Sequence, residues 1–358
     1  MARIPDFPLS QLTDATAAGF QVTLKPSGNT FPVVPGQTVL EAALQHGIGM
    51  PYGCRNGACG ACKCKLVSGD LEYGEHQERA IRPEEQAAGK TLTCCTRPKS
   101  DLVLEVRELA DAKDLQVRTL PCRVEKMEKP ATDVAVLYLK LPANERLQFL
   151  AGQYIDILMK DGKRRSFSMA NAPHDDQFLQ LHVRRNPSGT FSKYVFDEMK
   201  ERAILRFEGP LGTFYLHEDS DRPIIFVAGG SGFAPIKGII EHMFFKGLDR
   251  QVVLYWGARS AADLYMPALP AEWQREHDNF SFIPVLSDPL PEDQWQGRTG
   301  FVHQAVLDDF KDLSGWSVYA CGAPAMTDIA RETFVAQRGL PEDEFFCDAF
   351  TYSVDPKK

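Results

Sequence analysis

The chain has little of what would place it in a bilayer, on a secretory route or on a nucleic acid. No apolar run reaches the length of a membrane span, so an integral membrane protein is not expected. Met1 to Phe20 lacks a basic stretch followed by an apolar one, so no secretory leader is expected. Basic residues are outnumbered, with a net charge of −8, which argues against nucleic acid or an anionic membrane as a broad partner. A second C-x2–4-C pair, common in small zinc sites, is also missing.

The 358 residues suggest two or three domains, and 44% hydrophobic with 25% charged content is ordinary for a soluble globular protein. The nine cysteines, without a leader, point to a reducing compartment and a cytoplasmic location. There such spacing means metal or catalysis rather than disulfides. Cys54, Cys59 and Cys62 stand at C-x4-C-x2-C spacing, and Cys94 and Cys95 follow after 31 residues. A plant-type [2Fe–2S] cluster needs four thiolates, three from one tight loop and one from a distant segment. Glycines in the loop fit that chemistry, because bridging sulfides accept N–H bonds and backbone must come close. Strand alternation lets only one of Cys94 and Cys95 face the iron. Cys64, Cys122 and Cys347 read as buried small hydrophobes.

Four segments are expected. Residues 1–19 form a loosely ordered arm. Residues 20–112 form a small mixed β/α domain with a hairpin at 21–34, and a helix from Thr38 carries a capping box with Glu41. Residues 113–220 hold six strand candidates, at 117–126, 132–141, 153–159, 165–169, 178–184 and 204–208. That pattern indicates a closed antiparallel barrel interrupted by a helix at 192–200. Residues 221–358 alternate strand and helix, which indicates a parallel sheet with helices on both faces. Gly229-Gly230-Ser231-Gly232, followed by Pro235, lies between strand and helix, where such sheets bind pyrophosphate. Gly189, Thr190 and Ser192 open the barrel's helix, and a helix N-terminus there suits phosphate.

From about residue 20 to 108 the chain resembles the plant-type ferredoxin family, a β-grasp fold. Leu92-Thr93-Cys94 and Pro98-Lys99-Ser100-Asp101 carry the likeness with the loop. In that pattern the fourth ligand follows the Leu-Thr pair, which implies Cys94, with an enlarged loop at 72–89. Arg165-Ser166-Phe167-Ser168 resembles the R-x-Y-S motif of the ferredoxin–NADP reductase family. The likeness implies that Arg165 pairs with the FAD pyrophosphate, Phe167 lies against the isoalloxazine and Ser168 bonds near N5. His182-Val183-Arg184 resembles a strand bordering the flavin. Cys321-Gly322-Ala323-Pro324-Ala325-Met326 resembles that family's nicotinamide turn, which implies a place for Cys321 beside nicotinamide C4. The stretch 345–353 is expected to follow the last strand, and in it Phe350 is the implied flavin cover and Asp348 the acid beside it. Arg259 lies in a Tyr-Trp-Gly-Ala-Arg stretch matching NADH-linked members. After Ser287, Asp288 puts a carboxylate where NADP-selective relatives carry Arg. It would repel a 2′-phosphate and accept a ribose hydroxyl, which favours NADH.

The segment order resembles NADH-dependent reductase components of bacterial multicomponent oxygenases, and within them the CDP-6-deoxy-3,4-glucoseen reductase group. The resemblance implies hydride transfer from NADH to FAD, then single electrons through a [2Fe–2S] cluster to an oxygenase or other terminal acceptor protein. A reductase partner of a CDP-sugar dehydrase and a stand-alone flavin reductase are the alternatives. One chain holds the whole path, so a monomer would suffice.

Overall fold

The computed structural model describes residues 19–109 and 115–351. The arm expected at 1–19 falls almost wholly outside the described residues, and so does most of the connector after residue 109. The first segment runs β1 (Phe20–Lys25), β2 (Thr30–Val33), α1 (Val39–Gln45), β3 (Lys63–Ser68), β4 (Leu71–Tyr73), α2 (Pro83–Ala87), β5 (Lys90–Leu92), β6 (Thr96–Pro98) and β7 (Leu102–Glu105). Five strands form a mixed sheet in the order β2-β1-β7-β3-β5, with β4 and β6 as a separate ribbon. Alternation along β1 turns Val22 and Leu24 inward against Phe31, Leu40 and Leu104. The capping box at α1 is formed. The Glu41 N–H donates to the Thr38 hydroxyl at 3.2 Å, and the Thr38 N–H to the Glu41 carboxylate at 2.9 Å. These bonds satisfy two otherwise orphaned donors and fix where the chain enters the helix.

The barrel comprises β8 (Arg118–Ala131), β9 (Val134–Lys140), β10 (Tyr154–Leu158), β11 (Arg164–Ser168), β12 (Leu179–Arg184), α3 (Thr190–Asp197) and β13 (Ile204–Leu211). Its antiparallel order is β11-β10-β13-β8-β9-β12, and a Met169–Leu181 bridge joins the two ends. Closure leaves no long free edge. Leu179, Leu181 and Val183 of β12 point into the core, so Gln180, His182 and Arg184 point outward. Helix α3 starts two residues before the expected Ser192 and ends at Asp197 rather than Lys200. The Glu198 and Met199 N–H groups both bond the Tyr194 carbonyl, which closes the helix before Arg202 turns at φ 69°.

The last segment comprises β14 (Ile224–Gly229), α4 (Phe233–Lys246), β15 (Val252–Ala258), α5 (Ala268–Glu276), β16 (Phe280–Leu286), β17 (Arg298–Thr299), α6 (Val302–Asp309), β18 (Ser317–Gly322), α7 (Pro324–Arg338) and β19 (Phe345–Ala349). All six strands are parallel, in the order β17-β16-β15-β14-β18-β19. Ile224 to Ala228 are fully buried, as strands covered on both faces require. One correction concerns 345–353, expected to follow the last strand: Phe345–Ala349 is itself the edge strand. Its pairing sets Asp348 opposite Cys321. Among the described residues no helix is long and apolar enough to cross a membrane.

Candidate functional site

The thiols are organised by backbone rather than by side chains. The Cys54 sulfur accepts N–H bonds from Ala58 and Cys59, both at 3.3 Å, and the Cys59 sulfur accepts from Cys54 at 3.3 Å and Ala61 at 3.5 Å. Such bonds favour the thiolate. The Cys54 thiol is pulled down to about 6, first by its hydrogen bond with Cys59, with the loop N–H groups adding to this and burial opposing it. The Cys62 and Cys94 sulfurs stand 3.2 Å apart. Four thiols therefore fall into two pairs, which suits a centre of two irons with two terminal thiolates each. Among the described residues no three such side chains gather at one point, as a mononuclear ion would need. Gly57, at φ 73°, packs so tightly that a Cβ there would lie 2.6 Å from the Cys95 sulfur.

Cys94 and Cys95 do not face opposite ways on a strand as expected. They lie in the turn between β5 and β6, closed by the Cys95 N–H on the Leu92 carbonyl at 3.1 Å, and their sulfurs are 3.4 Å apart. Nearness to Cys62, not strand alternation, distinguishes Cys94. Cys64 and Cys122 are buried, and burial pushes both thiols up to about 12. Cys347 departs from its expectation: it is half-buried, and the Arg331 guanidinium donates to its sulfur at 3.4 Å.

On β11, Arg165 and Phe167 share one face and Ser166 and Ser168 the other. Arg165 donates to the Arg164 carbonyl at 2.8 Å. Phe167 is half-buried against Phe191 of α3, with ring centroids 5.1 Å apart. Ser166 is committed to Asp156 at 2.6 Å, and Ser168 donates to Asp348 at 3.2 Å. Asp348 keeps some solvent access, yet the surrounding protein raises its carboxyl to about 6. Burial is the main cause, the Ser168 bond opposes it, and the charge of Cys54 adds to it. Gly189 is the N-cap of α3 and no side chain caps that terminus, so its first N–H groups suit an anion. The Ser192 hydroxyl is turned back onto the Asn186 and Gly189 carbonyls, both at 3.1 Å. Thr190 opens the helix.

His182 and Arg184 are at the seam between barrel and parallel sheet. The His182 Nδ1 lies 2.8 Å from the Tyr265 hydroxyl. Burial, then the charge of Lys237, holds the ring neutral and pulls it down to about 3. Arg184 pairs with Asp133 at 3.3 Å, bonds the Asp263 carbonyl at 3.2 Å and lies over Gly230. Across the seam, Gly229 ends β14, and Gly230 to Gly232 make a tight turn into α4, with Pro235 in its first turn. A Cβ on Gly232 would sit 2.0 Å from the Cys321 carbonyl oxygen, so only glycine lets the two turns interlock. Cys321 is fully buried, and burial pushes its thiol well above the usual range. Gly322 accepts the Phe350 N–H at 2.8 Å, Pro324 starts α7, and Met326 packs on Gly229. Phe350 is half-buried against the core of the parallel sheet.

Ser287 and Asp288 leave β16 beside Arg259. Their N–H groups bond the Ala258 and Arg259 carbonyls, both at 2.9 Å, and Asp288 pairs with the Arg259 guanidinium at 3.3 Å. Asp288, the acid expected in place of an Arg, is thus ion-paired. Both partners are largely exposed, so the pair adds little stability, but it keeps the Arg259 guanidinium occupied. Asp288→Ser is expected to raise kcat/KM for NADPH about tenfold in ferricyanide reduction, with a smaller loss for NADH. An unchanged NADPH value would place Asp288 away from the ribose.

The thiol loop is docked onto the barrel, which no motif announced. Tyr154 donates to the Gly53 carbonyl at 2.7 Å, Tyr52 and Thr213 exchange hydrogen bonds, and Arg55 pairs with Glu208 at 3.3 Å. Arg79 bridges the Ala58 carbonyl at 3.0 Å and Asp328 of α7 at 2.7 Å. The donor sets fit an iron–sulfur cluster, a flavin dinucleotide and a nicotinamide dinucleotide.

Comparison with known proteins agrees with that fit. Family models match at residues 22–99 (2Fe-2S iron-sulfur cluster binding domain), 121–215 (oxidoreductase FAD-binding domain) and 226–332 (oxidoreductase NAD-binding domain). The CDP-6-deoxy-L-threo-D-glycero-4-hexulose-3-dehydrase reductase of Yersinia pseudotuberculosis is 43% identical over 93% of this chain and 98% of its own length. Reductase component 2 of a Comamonas terephthalate 1,2-dioxygenase is 36% identical over 92% and 97%. The crystal structure of an Amycolatopsis cytochrome P450 reductase superposes with a TM-score of 0.76 at 36% identity, covering 94% of this chain and all of that one. The chain therefore belongs to the ferredoxin-type reductases that carry electrons from NADH through FAD and a [2Fe–2S] cluster.

Proposed function

We propose that this chain is the cytoplasmic reductase component of a multicomponent oxygenase, with units at 20–112, 113–220 and 221–358. The observation that carries it is the meeting of thiol loop, flavin strand and C-terminal strand: Tyr154 reaches Gly53, and its ladder partner Ser168 reaches Asp348. When bound, FAD would supply the conversion of a hydride into two single electrons and a proton, and a plant-type cluster the onward transfer of those electrons at about −400 mV. Arg165 and the N-terminus of α3 hold the pyrophosphate. Phe167 and Phe350 would hold the flavin ring, Ser168 and Asp348 would serve it with a hydroxyl and an acid, and Cys321 would orient the nicotinamide. Gly229 to Gly232, with Gly322, Pro324 and Met326, receive the dinucleotide, and Asp288 takes the ribose. Cys54, Cys59, Cys62 and Cys94 are the cluster ligands.

A second reading, reductase partner of a CDP-sugar 3-dehydrase, is supported by the 43% identity to the Yersinia protein over nearly both full lengths. Reconstitution with NADH separates them. The holoprotein is expected to drive substrate turnover by a purified oxygenase component. Turnover of a CDP-sugar dehydrase, with none from haem, Rieske or di-iron oxygenases, would favour the second reading instead.

A further inference from the structure

Tyr154 stands between the flavin motif and the thiol loop. Tyr154 is the first residue of β10 and pairs directly with Ser168, the last residue of the flavin motif on β11. Its ring is buried, and its hydroxyl donates at 2.7 Å to the carbonyl of Gly53, the residue before Cys54. The ring is held in turn by the backbone after β13, since a Cβ on Gly212 would fall 2.7 Å from it. The next residue, Thr213, grips the same loop one position earlier. The Tyr52 N–H donates to the Thr213 hydroxyl at 2.9 Å, that hydroxyl donates to the Tyr52 carbonyl at 2.8 Å, and the Thr213 N–H reaches the same carbonyl at 3.2 Å. Two adjacent peptide units of the thiol loop are thus tied to β10 by the buried Tyr154 and to the segment after β13 by the half-buried Thr213. Mutually satisfied hydrogen bonds from such partly buried groups define one geometry.

We propose that Tyr154 and Thr213 are positioning residues that fix the thiol loop on the flavin barrel and so set the separation across which electrons leave the flavin. The inference rests on the electron path stated above and deepens it. The hydride of one NADH carries two electrons and a proton. Two single electrons would cross the contact in succession, the first leaving the one-electron iron–sulfur centre for the acceptor protein before the second arrives, and the proton would be released to solvent. Loop and barrel must therefore hold one relative position through both crossings.

The test uses the holoprotein and anaerobic mixing with NADH, following flavin bleaching and cluster reduction separately. Tyr154→Phe removes one hydroxyl and keeps the ring. Flavin bleaching should stay within about twofold, and cluster reduction should slow at least about tenfold, a fraction of the roughly hundredfold cost of a full ångström's misplacement. Cluster reduction should also become dependent on solvent viscosity, which a merely destabilised fold would not produce. Amide exchange at Gly53 and Cys54 should rise, with the oxidised cluster spectrum unchanged. Thr213→Val reaches the loop without touching the flavin strand and should give the same signature. Tyr138→Phe, which removes a hydroxyl bonded to Glu128 at 2.9 Å elsewhere on the barrel, should change none of these. Wild-type cluster reduction in both Tyr154→Phe and Thr213→Val overturns the proposal. A wild-type protein whose cluster is never reduced by NADH would instead overturn the electron path itself.

Discussion

Cys94→Ser is expected to remove the iron–sulfur spectrum and lower NADH-driven cytochrome c reduction more than about a hundredfold, while ferricyanide reduction through the flavin persists. The Cys94 sulfur is 3.2 Å from that of Cys62, so losing it leaves one iron with a single protein thiolate. A serine hydroxyl is a harder and far less acidic ligand and does not replace it. Cys95→Ser should leave spectrum and cytochrome c activity within about twofold, because that sulfur fills the space under Gly57. A buried hydroxyl in its place costs about 1–3 kcal/mol of stability and no ligand. The opposite pattern, a normal cluster in Cys94→Ser and none in Cys95→Ser, would reverse the assignment. Iron content and the visible spectrum of the two variants decide it.

Cys321→Ala carries the second large effect. Cys321 sits at the end of β18, opposite Asp348 on β19, and its carbonyl is locked against Gly232. The thiol is fully buried and neutral, so its contribution is shape and contact rather than charge. Truncation should therefore misplace the nicotinamide rather than weaken the hold on the dinucleotide. Flavin bleaching by NADH is expected to slow on the order of a hundredfold, with KM moved much less than kcat and with FAD content and cluster spectrum intact. A raised KM with kcat preserved would make Cys321 only a binding contact. An unchanged rate would make it a packing residue of the sheet.

Much of this was legible because the chemistry is local in sequence. Cys54 to Cys62 lie in one loop, where their spacing stands out by itself, whereas the Arg165 motif in one strand and the glycines of 229–232 and 322 in single turns stand out through the family resemblance. Residue periodicity likewise marked the barrel and the parallel sheet, because closed and buried strands leave different apolar patterns. What stayed hidden is what long-range contact decides. Tyr154 meets Gly53 across 101 residues, Thr213 meets Tyr52 across 161, and Arg79 meets Asp328 across 249. None of these carries a pattern in its own neighbourhood. Edge strand β19 was missed because Phe-Phe-Cys-Asp-Ala does not alternate, and its place comes from pairing with β18. The Cys94–Cys95 turn was misread because a three-residue strand ends where the Leu-Thr pair suggested it continued.

Anaerobic mixing of the holoprotein with one equivalent of NADH, with both centres followed in one trace, tests the electron path most directly. Flavin bleaching is expected first, followed by cluster reduction at the expense of the bleached flavin. In Cys94→Ser only the first phase should remain. Cluster reduction ahead of the flavin, or a cluster that stays oxidised beside a fully bleached flavin, would contradict a path running from nucleotide to flavin to thiol loop.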